Sequence, residues 1–278
     1  MMYLNRMVEF EASHYYWDAR LSPEENRARF GNETRAHGHN WTAQIGVTGE
    51  ADTRTGMVVN IKELDDIARR CVVQPLDHKC LNLDVPAFQT ALPTPENVAF
   101  FIWKRIAPNA RGFQLASAEA TENKRSKARF NGQYEERTQM PIVTITRAYE
   151  FTATHRLHNP NLSDEENVQL YGKCNNLNGH GHDYRLEVSV QAPMDERAGA
   201  ARGREQIDPI VHKEAVERLD YQHMNDMEEF QDAVPTTENL VRFLYETMQP
   251  LFKREGLRLQ RARLYETRKS WFDYGEAV

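Results

Sequence analysis

From Pro141 the chain reads PIVTITRAYEFTATH, an alternation of branched or aromatic residues with polar ones that predicts a strand with one buried face. DYRLEVSVQA, from Asp183, alternates in the same way. NIKELDDIARRCVV from Asn60 and TPENVAFFIWKRI from Thr94 instead place apolar residues at helical spacing. The second of these opens with Thr94 as N-cap, Pro95 in the first turn and Glu96 facing the helix dipole. LRLQRARLYET, from Leu257, returns to the period of two. LSPEEN and LSDEEN, from Leu21 and Leu162, each contain a Ser-x-x-Glu capping box, which predicts a helical turn between the first two strands. Two strands, two helices and further strands, read twice, predict an α+β chain.

The pattern recurs because the sequence does. FEASH (Phe10 to His14) returns as FTATH (Phe151 to His155), 141 positions later, and Gly31 is matched by Gly172 at the same offset. The HGH triplets at His37 and His180 are 143 apart, so two residues were gained or lost just before them. Asp77 of PLDHK matches Asp220 of RLDYQ at 143, and Glu96 matches Glu238 at 142. A last anchor aligns Glu122 with Glu266, Ser126 with Ser270 and Phe130 with Tyr274. Two homologous domains, 1–139 and 140–278, are expected, with the polar stretch 123–139 read as a connector between them.

A chain with 40% hydrophobic and 27% charged residues and a net charge of −6 has no broad basic surface, so no nucleic-acid partner is expected. No apolar run is long enough to cross a bilayer and the first residues lack a signal-peptide core, so a cytoplasmic protein with no membrane partner is expected. Three cysteines without a CxxC spacing read as reduced thiols. Cys71 and Cys80 have apolar neighbours and are expected in the core. Cys174, among asparagines and glycines, has no packing role and reads as chemistry.

On an extended chain, residues two apart point to one side, so His37 with His39, and His180 with His182, can present two imidazoles to one ion. His14 and His155, at the end of the preceding strand, supply a third. Three imidazoles leave one position open on a tetrahedral Zn²⁺, which is the arrangement of catalytic zinc. A single His-x-His is more often an exposed turn. Here six of the ten histidines fall at corresponding places in two copies, which points to one Zn²⁺ per domain.

These motifs resemble the 6-pyruvoyl-tetrahydropterin and 6-carboxytetrahydropterin synthases. FTATHRLHNPNLSDEENVQLYGKCNNLNGHGHDY in the second copy is similar to the zinc and nucleophile region of that family, and TGMVVN, PLDHK and PTPENVAFFIW in the first copy resemble its later segments. The resemblance implies two tunnelling-fold (T-fold) domains, with antiparallel sheets carrying helices on one face and closing into a barrel as a homo-oligomer. A trimer of two-domain chains is the expected assembly, and a four-unit ring is the alternative. It also implies 7,8-dihydroneopterin triphosphate as substrate, with zinc on His155, His180 and His182, Cys174 moving a proton, an Asp-His pair assisting and Glu266 or Glu122 gripping the pterin.

Neither copy holds the whole set. The first has Asp77 and His78 but Glu33 where the second has Cys174; the second has Cys174 but Asp220 and Tyr221 where the family has Asp-His. Tyrosine titrates far above neutral pH and makes a poor shuttle. One complete site would join His155, His180, His182, Cys174 and Glu266 to Asp77 and His78 of a first-copy domain. The reciprocal site, with His14, His37, His39, Glu33 and Glu122 joined to Asp220 and Tyr221, would be weakened or altered. Pairing like domains with like is the rival arrangement. Glu33 reads as a relic or as a base of the kind used by family members with glutamate in place of cysteine. Five residues separate Cys174 from His180, which resembles the interval of the pyruvoyl-forming members rather than the shorter one of the carboxy-forming members and so implies the pyruvoyl product. A 6-carboxytetrahydropterin synthase, or an impaired pterin-binding subunit, are the alternatives.

Overall fold

The computed structural model describes residues 1–276 and resolves two compact units. The first comprises Met1–Thr146 with Gln191–Arg204, and the second comprises Arg147–Val190 with the chain from Glu205 onward.

In the first unit, β1 (Met2–His14) pairs antiparallel with β2 (His37–Gly49). The capping box of Ser22 and Glu25 starts α1 (Pro23–Phe30) between them, as the sequence predicts. The register sets Phe10 opposite Trp41, and their rings stack at 5.8 Å between centroids. That inward face, continued by Ala43, Ile45, Ala118 and Ala120, packs on α2 (Ile61–Ala68) and α3 (Pro95–Ile106) through Leu64, Ile67, Val98 and Ile102. Thr94 caps α3 by accepting the Asn97 N–H. A two-residue β3 (Lys79–Cys80) pairs parallel with β1. Strand β4 (Gln114–Asn123) pairs antiparallel with β2 and with β5 (Ser126–Tyr134).

The stretch expected to be a connector therefore contains β5. Its polar residues form one face of the strand: Lys127 pairs with Glu119 and Arg129 donates to Ser117, while Ala128 and Phe130 turn inward. A second correction concerns Cys80, which is only half-buried because β3 lies at the sheet edge, whereas Cys71 is in the core as expected.

The second unit repeats this plan with β6 (Pro141–His155), α4 (Asp164–Tyr171), β7 (His180–Asp195), β9 (Gln222–His223), α5 (Thr237–Arg254), β10 (Arg258–Thr267) and β11 (Ser270–Gly275), in sheet order β9-β6-β7-β10-β11. Beyond Val190, β7 continues into a hairpin with β8 (Ala200–Ala201), and this hairpin belongs to the first unit. β1, β2, β4 and β5 pair antiparallel, as do β10 and β11, while β3 and β9 are added in parallel, so the fold is a mixed sheet in its detail. In each unit the helix after the second strand widens into a π-turn, Arg69–Val73 and His212–Val216. Such turns interrupt a helix where a site needs the chain re-aimed, and here each ends four residues before Asp77 or Asp220. Among the described residues no helix is long and apolar enough to cross a membrane.

Candidate metal centres

Pairing of the first two strands builds each histidine cluster. His14 ends β1 directly opposite His37 at the start of β2, and His39 follows on the same face. Ring centroids lie 4.5 Å apart for His14 and His37, 5.3 Å for His14 and His39 and 5.1 Å for His37 and His39. The corresponding separations among His155, His180 and His182 are 4.5, 5.3 and 5.0 Å. In both triads one ring nitrogen from each histidine falls within 4.8 Å of the others.

The hydrogen bonds fix which nitrogen faces inward. His14 Nδ1 lies 3.1 Å from the Pro93 carbonyl and His155 Nδ1 lies 2.7 Å from the Pro235 carbonyl, so each donates there and leaves Nε2 a bare lone pair. Nε2 of His14, His155 and His182 is buried with no hydrogen-bond partner. Buried polar atoms are rarely left so, and three imidazoles converging on one point are satisfied by a shared cation. Four of the rings are also biased toward the neutral form that a metal ligand needs. Burial, then the neighbouring His37 and His39, brings the His14 pKa down to about 3, and burial lowers those of His39, His155 and His180. Each triad can hold a metal ion.

Both glutamates stand beside these clusters for the same backbone reason. The β4/β5 register shifts between Thr121 and Asn123, and the β10/β11 register shifts between Tyr265 and Thr267, so Glu122 and Glu266 are the extra residues of two β-bulges. A bulge re-aims its side chain. Glu122 accepts the Tyr16 hydroxyl at 2.8 Å and comes within 3.3 Å of His14 Nε2. Glu266 accepts the Thr237 hydroxyl at 2.9 Å and lies 3.6 Å from His182 Nε2 and 3.8 Å from His155 Nε2. The donors exchange between copies: Thr237 stands where the first copy has Pro95, and Tyr16 stands where the second has Leu157. The environments differ more. Glu122 is 3% exposed and Glu266 is 25% exposed.

Cys174 and Glu33 occupy matching 3₁₀ turns, Gly172–Asn175 and Gly31–Thr34. The Leu157 N–H donates to the Cys174 carbonyl at 2.9 Å and the Tyr16 N–H donates to the Glu33 carbonyl at 2.8 Å, which ties each turn two residues beyond the first histidine of its triad. The asparagine closing each capping motif makes this rigid. Asn167 accepts the Asn159 N–H and donates to the Asn159, Leu162 and Ser163 carbonyls, and Asn26 makes the equivalent bonds around Asp18. Sequence reasoning passed over these asparagines. The repeated EEN after each capping serine was the available signal.

Asp77 and His78 stand apart from the ligand group of their own unit. Asp77 accepts the Glu11 N–H at 2.9 Å, the His78 N–H donates to the Glu11 carbonyl at 2.6 Å, and Asp77 Oδ2 is 2.9 Å from His78 Nδ1. His78 takes a left-handed backbone, φ 55°, and so does Tyr221 at 58°. Non-glycine residues hold this conformation at a cost of order 1 kcal/mol or more, and it occurs where a side chain must be displayed. His78 is 75% exposed and Tyr221 is 85% exposed. The hydrogen bond that the His78 ring donates to Asp77 and the Asp77 charge, with Glu11 behind them, raise the His78 pKa; the Glu11 N–H, then His78, lower that of Asp77. Asp220 makes the same backbone anchor, to the Thr152 N–H at 2.9 Å.

A concavity of about 860 Å³ in the second unit is lined by Thr152, Asp183, Arg185, Tyr221, Tyr265 and Glu266. Asp183 and Arg185, which alternate with His180 and His182 along β7, line this basin, and Glu266, beside the triad, borders it. Of the site residues, only Glu266 and Tyr221 border it.

The fold and the sites define a class: an α+β protein with two homologous units, each carrying a three-histidine centre and a bulge-mounted glutamate. The family model described as 6-pyruvoyl tetrahydropterin synthase matches residues 3–133 and again 144–277, and the chain belongs to this family, whose T-fold it carries twice. It is 36% identical over 138 residues to the Drosophila melanogaster 6-pyruvoyl tetrahydrobiopterin synthase, covering 49% of this chain and 82% of that one. It is 43% identical over 105 residues to the Homo sapiens enzyme of the same name, covering 37% of this chain and 72% of that one. The solved Caenorhabditis elegans 6-pyruvoyl tetrahydropterin synthase is 32% identical, with a TM-score of 0.43, over 50% of this chain and 98% of that one.

Proposed function

We propose that the chain is a zinc-dependent lyase that converts 7,8-dihydroneopterin triphosphate to 6-pyruvoyl-tetrahydropterin with loss of triphosphate, and that the second unit is its working centre. The observation that supports this most is the asymmetry between two sites whose histidine spacings match: among the described residues only the second combines a three-histidine centre, a cysteine on the adjoining turn and a partly exposed glutamate. His155, His180 and His182 would hold Zn²⁺, which supplies Lewis acidity toward side-chain oxygens of the substrate. Glu266 orients the ring by accepting parallel N–H bonds from the aminopyrimidine edge, with Thr237 steadying its carboxylate. Cys174 takes the proton from the side-chain carbon next to the ring. His78, its pKa raised by its bond to Asp77, exchanges protons with the side-chain oxygens.

His78 and Asp77 reach this centre from a first-copy domain in a homo-oligomer, and their display on an exposed left-handed turn suits a residue lent to a neighbour. Domains bounded near residues 139 and 140 are the units of that assembly. In the first site Glu33 is a relic. The name shared by the relatives favours the pyruvoyl product over the carboxy product.

Product analysis after incubation with 7,8-dihydroneopterin triphosphate tests the reading. 6-Pyruvoyl-tetrahydropterin and inorganic triphosphate are expected. Formation of 6-carboxytetrahydropterin would assign the other reaction, and zinc bound without turnover would assign a binding subunit. His78→Ala is expected to abolish turnover, and unchanged turnover would remove the lent pair from the account.

A further inference from the structure

The hairpin formed by β7 and β8 carries a residue that the mechanism does not use. Its turn docks on the loop ahead of α3: the Leu92 N–H donates to the Ala198 carbonyl at 2.9 Å, and the Thr94 hydroxyl donates to the Gly199 carbonyl at 2.6 Å. Gly199 takes φ 68°, and a Cβ there would fall 2.4 Å from the Leu92 carbonyl oxygen, so the fit admits no other residue. Ala200 packs with Tyr16 and Leu92, and the Ala201 N–H donates to Glu96 at 3.3 Å. Three residues on, this docking delivers Arg204 beside Glu96 and Tyr16, whose ring lies against His14 of the first triad.

The Arg204 side chain is 8% exposed. Its Nε lies 2.9 Å from Glu96 Oε1, and its guanidinium carbon sits 5.4 Å above the ring of Tyr16, the residue whose hydroxyl binds Glu122. Burial opposes the charge, but Glu96, Tyr16, Glu122 and Glu33 outweigh it and hold the guanidinium protonated. Glu96 against the guanidinium, with Tyr16 and the Glu122 carboxylate it binds on the ring side, makes a polar cradle that is already filled.

We propose that Arg204 is an internal occupant of the first unit's ligand pocket, its planar N–H edge standing where a pterin's aminopyrimidine edge would otherwise lie. The inference rests on the pterin reading above for the identity of the displaced ligand, but not for the plug itself. A guanidinium and a 2-amino-4-oxopyrimidine both present coplanar N–H donors at the same spacing, so one carboxylate cradle accepts either. The copies differ as the proposal requires. At the 143-residue offset of the π-turns, the first copy has Ile61 in place of Arg204, a side chain with no donor. Glu238, the counterpart of Glu96, is exposed, while Glu96 is wholly buried. Among the described residues only the first pocket is plugged, and each chain accordingly takes up one pterin.

Calorimetric titration of the full chain with neopterin, and thermal shifts with methylguanidinium as a fragment of the plug, test this. Wild type is expected to bind one neopterin per chain and Arg204→Ala two, with Glu122→Gln added to Arg204→Ala returning the count to one. Methylguanidinium is expected to raise the Tm of Arg204→Ala and leave wild type unmoved. Two equivalents on wild type, or one equivalent on Arg204→Ala with no response to methylguanidinium, would overturn the plug. Rescue by methylguanidinium with no neopterin bound by either protein would uphold the plug and refute the pterin reading. Should Arg204→Ala fail to fold, Arg204→Met with Glu96→Gln removes the unpaired buried charge and is measured in its place, with two equivalents again expected.

Discussion

Replacing Glu266 by glutamine separates the two units most sharply. The carboxylate is one-quarter exposed and already accepts the Thr237 hydroxyl on Oε1, leaving Oε2 and the second lone pair of Oε1 for ligand donors. Glutamine keeps the shape and the bond from Thr237 but turns one acceptor into a donor and removes the charge. A hydrogen bond to a charged group contributes about 1.5 to 3 kcal/mol, so losing one weakens pterin binding by roughly 10- to 150-fold. The ligand set for the metal consists of histidines alone, so zinc content stays at its wild-type value. The assay is KM for 7,8-dihydroneopterin triphosphate, with neopterin affinity measured in parallel. Glu122→Gln, in the covered pocket, is expected to leave both unchanged. A KM that rises with Glu122→Gln and not with Glu266→Gln would refute the assignment of the second unit as the binding centre.

Zinc counted after reconstitution should come to two per chain, falling to one in His180→Ala; metal at 100 times its dissociation constant stabilises by about 2.7 kcal/mol, so chelation should lower Tm. A Tm indifferent to chelator would mean that the triads hold no structural metal. His78 should titrate above 6.5, the ordinary value for histidine, and Asp77→Asn should bring it down; ¹H–¹⁵N histidine spectra read both. Because the folded pKa lies above the unfolded one, the stabilisation from this pair is present below pH 6.5 and is lost as pH rises through the folded value. Equal titration of His78 in the two proteins would show that the pair is not coupled.

What could be read from sequence was local. The capping boxes at Ser22 and Ser163, the cap at Thr94 and the paired imidazoles of HGH depend on side chains a few residues apart, and all stand where the periodicity puts them. The 123–139 stretch failed as a connector because β5 alternates polar residues on one face with Ala128 and Phe130 on the other, and a strand with one polar face has the composition of a loop. The left-handed backbone at His78 and Tyr221 was not legible, since neither is a glycine and the conformation is imposed by bonds to Glu11 and Thr152 far away in sequence. The same holds for Arg204. Glu96 reads as a residue placed for the helix dipole, and nothing nearby announces a cation arriving from more than a hundred positions later.

The claim that chemistry belongs to the second copy is tested most directly by triphosphate release from 7,8-dihydroneopterin triphosphate, compared among wild type, Cys174→Ala and Glu33→Gln. Loss of a general base typically costs about 10² to 10⁴ in rate, so Cys174→Ala should fall by that factor while Glu33→Gln keeps wild-type turnover. Full activity in Cys174→Ala, or its loss in Glu33→Gln, would contradict the account.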